Sequence, residues 1–218
     1  MSLRKTLFES GGFYHVYNRG NSKQTIFHDE EDYNRFIKLL FLSNGKENFK
    51  MCFIRDEIYN FNRGEQLVDI GAYCLMPNHF HLLLTQSENG SISKFMQKLS
   101  TGYSMYYNKK YERTGTLFEG KFKSEHAKDD RYLKYLFSYI HLNPVKLLCH
   151  NWKEEGIKDK KHALTFIEQY KFSSYQDYTG HARKQKEIIN LEVFPDYFLT
   201  KKVFGEEIFD WLDYKQLN

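Results

Sequence analysis

LVDIGAYCL (67–75), Met76-Pro77-Asn78 and HFHLLLT (79–85) together have the pattern of a β-hairpin: two apolar, β-favouring runs joined by a short turn. Alternation along the second run puts Phe80, Leu82 and Leu84 on one face, and His79, His81, Leu83 and Thr85 on the other. His79 and His81 therefore project from the same side, about 6–7 Å apart at the backbone, close enough for two ring nitrogens to meet one cation. Two readings of the pair stay open. It is either a metal site on a strand stiffened by its buried far face, or two polar residues on a half-exposed strand.

Working outward, GFYHVY (12–17) reads as a strand closed by a turn at Asn18-Arg19-Gly20. Asp29 to Leu42 reads as a helix with an acidic start and Tyr33, Phe36, Ile37 and Leu40 at helical spacing. Ser91 is placed to cap a second helix running to about Tyr111, with Ile92, Phe95, Met96, Leu99, Tyr103 and Tyr106 as its stripe. A strand is expected within TGTLFEGKFKS (114–124). Asp129 or Asp130 then caps a helix over 131–146, ended or kinked by Pro144. The order β-α-β-β-α-β-α predicts an α+β sandwich of ferredoxin-like type, an antiparallel sheet with helices covering one face. Residues 1–148 form the expected core. Residues 149–218, with looser patterning, form an extension docked on it.

The 218 residues, 41% hydrophobic, suffice for a core without disulfide or metal staples. No apolar run of about 18 residues predicts a membrane helix. The N-terminus MSLRKTLFESGG has no secretory pattern, so a cytoplasmic protein is expected. Cys52, Cys74 and Cys149 are dispersed, which argues against a disulfide framework or zinc cluster and for unreactive thiols. The net charge of +4 is compatible with a polyanionic partner. Between residues 95 and 126, Lys98, Lys109, Lys110, Arg113, Lys121 and Lys123 outnumber Glu112, Glu119 and Glu125. They are interleaved with Tyr103, Tyr106, Tyr107, Tyr111, Phe118 and Phe122. Cations and rings so mixed suit a single-strand binding groove, or equally a solvated helix face over core aromatics.

On the 131–146 helix, Tyr132, Tyr135, Tyr139 and Asn143 form a band beside the apolar stripe Leu133, Leu136, Phe137 and Ile140. Tyr139 and Asn143, at i and i+4, lie one turn apart. The tyrosines are read either as functional hydroxyls or as the rim of a core.

YHVYNRG (14–20), MPNHFHLLL (76–84), LFEGKFK (117–123), YIHLNPVK (139–146) and FSSYQDYTG (172–180), in this order, resemble the REP-associated tyrosine transposases. These are relatives of the single-tyrosine insertion-sequence enzymes in the His-hydrophobe-His nuclease superfamily. The resemblance covers roughly residues 12–180. It implies a transposase that nicks single-stranded DNA and transfers strands through a 5′-phosphotyrosine. His79, His81 and Asn143 would be metal ligands for Mg2+ or Mn2+, and Tyr139 the nucleophile. Single-stranded or hairpin DNA is the implied partner, with Arg19, Lys109, Lys110, Arg113, Lys121 and Lys123 the cations expected on it. Both a monomer and a homodimer are compatible with this likeness. The rival readings are an inactive DNA-binding regulator of the same fold and a metal-dependent nuclease that uses water. The nearest acid for the latter is Asp69 on the preceding strand.

Overall fold

Seven elements in the expected order build the sheet and its cover: β1 (Phe13–Arg19), α1 (Glu30–Ser43), β2 (Asp69–Met76), β3 (His79–Thr85), α2 (Ser91–Lys110), β4 (Lys123–His126) and α3 (Asp130–Leu142). The structure, a computed structural model, describes residues 7–54, 57–198 and 200–211, apart from the side chains at 153 and 209. The expected tail from 212 on lies outside the described residues. So do the first six, part of the segment read as lacking a secretory pattern. The sheet order is β2-β3-β1-β4, antiparallel throughout, which is the ferredoxin-like arrangement. Pro77 and Asn78 alone make the hairpin turn, because Met76 pairs with His79.

One sheet face presents Tyr14, Val16, Tyr73, Leu75, Phe80, Leu82 and Leu84 to Phe36 and Leu40 of α1 and to Phe95, Leu99 and Tyr103 of α2. Helices cover this face as expected. The second face is also covered, with Ala72, Cys74 and Leu83 packed under Leu133, Leu136, Phe137 and Ile140 of α3. Burying those four α3 side chains contributes roughly 6–12 kcal/mol before entropy is counted. A bulge at Gly71 reverses the facing of β2: Ile70 joins the first core and Ala72 the second. A Cβ there would lie 2.7 Å from the Phe194 ring, so any larger residue would have to displace that ring.

Helix ends follow local chemistry. Asp129 accepts the Tyr132 amide at 2.8 Å, and Asp29 caps α1 in the same way. Ser91 is not the cap of α2 but its first helical residue. Gly90, at φ 88°, takes the cap position that a side chain would find strained. Pro144 stops α3 at Leu142, earlier than expected, and Asn143–Leu147 continues as a 3-10 turn. The fourth strand lies later than expected, at Lys123–His126, while Phe118 forms only an isolated bridge to Gly20.

Beyond α3 the chain forms α4 (Trp152–Glu155), α5 (Lys160–Gln169), α6 (Tyr175–Tyr178) and α7 (Lys201–Trp211). Leu142, Val145, Trp152, Ile167, Tyr175 and Phe204 make a third apolar cluster behind α3. Phe172 and Ser174 bond to the outer edge of β2, closing an edge that would otherwise be open (Leu75 N–H to Phe172 O, 2.9 Å; Ser174 N–H to Tyr73 O, 3.0 Å). Arg183 locks this contact: its guanidinium binds Asp177 (2.7 and 2.5 Å), Ser173 O (2.6 Å) and Tyr73 Oη (3.1 Å). The three cysteines are free; Cys74 is buried and Cys52 exposed. No helix among the described residues is long and apolar enough to cross a membrane.

Candidate active site

The second sheet face opens into a cavity beside the end of α3, and β1 and β3 supply its floor. Pairing sets Tyr17 opposite His81 and Arg19 opposite His79, so alternation brings His15, Tyr17, Arg19, His79 and His81 to one face. The His79 and His81 rings meet edge to face with centroids 4.9 Å apart. Each has one ring nitrogen already engaged: His79 Nδ1 lies 2.6 Å from Asn78 Oδ1, and His81 Nδ1 lies 2.9 Å from His15 Nε2. Because Asn78 Nδ2 donates to Lys23 O at 3.3 Å, its oxygen faces His79 and can only accept. His79 therefore carries its proton on Nδ1 and a lone pair on Nε2. Burial pushes His79 down from 6.5 to about 4, helped by the charges of Lys146 and Arg19. Burial also takes His15 to about 4, against the opposing pull of Glu125. Both imidazoles are neutral at pH 7.

From α3, Tyr139 is set edge-on to both His15 (5.6 Å) and His81 (5.5 Å). Burial raises its phenol pKa, and the Glu125 carboxylate adds to the rise, while a hydrogen bond with Asn143 opposes it. Glu125 is itself held by the hydroxyls of Tyr17 (2.9 Å) and Tyr132 (3.2 Å). One turn on, Asn143 donates to Tyr139 O at 2.8 Å, and its side-chain oxygen accepts from Lys146 Nζ at 3.2 Å. That ammonium stands 5.7 Å from the Tyr139 ring centre.

The cavity, about 670 Å3, is lined by Tyr17, Asn18, His79, His81, Tyr139 and Lys146, with Arg19, Lys23 and Lys123 on its rim. Among the described residues no group of three or more His, Cys, Asp or Glu side chains could hold a metal ion. The two histidines nevertheless fit one. Each has its other ring nitrogen anchored, the pattern that orients imidazole ligands. The third donor would be the Asn143 amide oxygen, which Lys146 now engages.

The fold thus brings His79, His81, Tyr139, Arg19 and Lys123 to one cavity, while Asn143 lines the neighbouring one and meets the first through Lys146. Arg19 is ion-paired with Glu119. Lys109, Lys110, Arg113 and Lys121 do not line the cavity. Lys110 is held by Asp29 (2.7 Å), Glu31 (3.0 Å) and Asp32 (2.9 Å), and the Arg113 guanidinium lies over the Tyr107 ring. Tyr103, Tyr107 and Phe118 are core residues on the opposite sheet face. Asp69 sits at the far end of β2 from the histidines, paired with Thr85 and bonded to Asn190. His15 and Lys146 were not singled out from the sequence. The first was signalled by its alternation with Tyr17 and Arg19 in YHVYNRG, the second by its place three residues after Asn143.

The family model described as "Transposase IS200 like" matches residues 12–143, from the start of the sheet to Asn143, a span that contains His79, His81 and Tyr139. Among solved structures the chain is similar to a REP-associated tyrosine transposase bound to a REP hairpin. Identity is 14%, the match covers 85% of this chain and 90% of that one, and the TM-score is 0.53, a likeness of fold. No curated protein sequence matches the chain. With the family model covering well over half its length, this chain belongs to the IS200-like transposase family.

Proposed function

We propose that this transposase nicks single-stranded DNA with Tyr139 and holds the cut end as a 5′-phosphotyrosine. The observation that carries the reading is the meeting of Tyr139 with His79 and His81 in one cationic cavity. The phosphate would sit between Tyr139 and the histidines, drawn by Lys146, Arg19 and Lys123. The Tyr139 oxygen bonds to phosphorus as the bond from phosphorus to the 3′-oxygen breaks. The phenolic proton is lost to solvent, and the departing 3′-oxygen takes one up. One phosphoester replaces another, so the released 3′-hydroxyl can later reverse the step on a new strand without ATP.

A phenol that burial holds above its usual pKa needs help to become a nucleophile. Lys146, close to the ring, favours the phenolate. His15 fixes the orientation of His81. A Mg2+ or Mn2+ ion on His79, His81 and the Asn143 amide oxygen would stabilise charge building on the phosphate. The hairpin bound by the structurally similar protein supports single-stranded or hairpin DNA as the substrate here. The test is incubation with hairpin-bearing oligonucleotides from DNA flanking its own gene, with Mg2+ or with chelator. Nicking with the metal and none with chelator is expected, and His79→Ala with His81→Ala should abolish it. Undiminished nicking by the double variant would overturn the metal site.

A further inference from the structure

A second cavity, about 360 Å3, lies on the other side of Tyr139, between α3 and α7. Its walls are Tyr132, Tyr135, Tyr139, Trp152 and Trp211, and Arg131, Lys146 and Asp129 stand at its polar margin. Tyr139 and Lys146 line both cavities, so the two are continuous with the same reactive residue. Successive tyrosines along α3 keep their rings about one turn apart (Tyr132 to Tyr135 6.0 Å, Tyr135 to Tyr139 5.8 Å), and Trp211 closes on Tyr135 at 4.9 Å. Trp211 is oriented by its indole N–H, which donates to Glu207 Oε1 at 3.0 Å, and Glu207 in turn binds Lys134. Both tryptophans of the chain line this cavity, and both lie beyond the span matched by the family model.

We propose that this aromatic cavity is a nucleobase subsite, which receives the base next to the phosphate attacked by Tyr139. This rests on the cutting reading for the position of the phosphate. The chemistry of the walls stands apart from that reading. Five aromatic side chains with cations at the margin suit a flat π-system whose phosphate stays outside. A volume of this order suits one small planar group rather than a folded partner. With the phosphate on the histidine side of Tyr139 and its base on the tryptophan side, the strand would straddle the nucleophile. That arrangement would fix the nucleotide in line for attack. Stacking on aromatic walls is tolerant of sequence, so the subsite would select an unpaired base over a paired one rather than one base over another.

Because all the tryptophan emission arises from the walls of this cavity, the test needs no catalysis. The full chain in chelator is titrated with single-stranded oligothymidine and with an abasic strand of equal phosphate number. Quenching by oligothymidine and none by the abasic strand is expected, with affinity for the abasic strand about tenfold lower. Trp211→Leu should bring the two affinities together and leave abasic binding unchanged. Trp152→Phe, which leaves Trp211 as the reporter, should still quench. Equal affinities and unchanged emission for both strands in the unsubstituted protein would overturn the subsite. Covalent attachment to a hairpin oligonucleotide separates the two ideas. Attachment without quenching removes the subsite alone, and quenching without attachment removes the cutting reading alone.

Discussion

Lowering the pH from about 7.5 to about 5 should destabilise this protein through its buried histidines. His141, near the end of α3, is fully buried, its Nε2 2.7 Å from Ser174 Oγ, and burial takes it from 6.5 to about 3. His15, 4% exposed, is held at about 4. Below pH 6.5 the unfolded chain binds a proton at each position and the folded chain does not. Their stabilising contribution is therefore complete above pH 6.5 and is lost as pH falls toward 4. Each costs about 1.4 kcal/mol per pH unit, hence ~2 kcal/mol each by pH 5 and ~4 kcal/mol together. His79, partly open to the cavity, adds less. For a chain of this size ~4 kcal/mol corresponds to a fall in Tm of about 8–16 °C. Thermal unfolding followed by circular dichroism across this range measures it, and imidazole NMR titration identifies the groups. Ordinary titration of His15 and His141 near 6.5, or an unchanging Tm, would refute the reasoning.

Two further changes probe how the rest of the chain supports the site. Arg183→Leu strands the buried Asp177 carboxylate and should cost about 3–5 kcal/mol by chemical denaturation; adding Asp177→Leu should recover part of it. No loss in the single variant would mean that the clamp does not hold residues 171–177 on β2. Gly71→Val pushes a side chain into Phe194 and should destabilise by about 1–3 kcal/mol, with an unaltered denaturation midpoint contradicting the close contact.

Much of the fold was legible because period and punctuation agreed. The hairpin, the cap at Asp129 and the stop at Pro144 all rest on local chemistry that tertiary packing did not override. Burial on both sheet faces was harder to read. An apolar run such as LVDIGAYCL suits either one or two covered faces, and a single bulge at Gly71 changes which residues share a side. The candidate site was legible where spacing fixes geometry: alternation put His79 and His81 on one face, and helical spacing put Asn143 one turn from Tyr139. Charge alone did not tell which cations share the cavity. Arg19, though paired with Glu119, lines the cavity, whereas Lys110 is held by a carboxylate cluster and Arg113 by an aromatic face across the sheet. His15 meets His81 and Tyr139 only because β1 pairs with β3 under α3, so the fold reveals that neighbourhood, whereas Lys146 follows Tyr139 closely enough in sequence to have been singled out.

Covalent capture of DNA by Tyr139 can be read directly on a gel. Protein incubated with Mg2+ and a hairpin oligonucleotide labelled on the 3′ side of the cut should migrate on a denaturing gel as a labelled adduct. Mass spectrometry should place the phosphate on Tyr139. Tyr139→Phe keeps the ring against His15 and His81 and should still bind the DNA, but it should give neither nick nor adduct. Tyr132→Phe and Tyr135→Phe should give both. An adduct that survives Tyr139→Phe would contradict the assignment, and cutting without any adduct would make water the nucleophile.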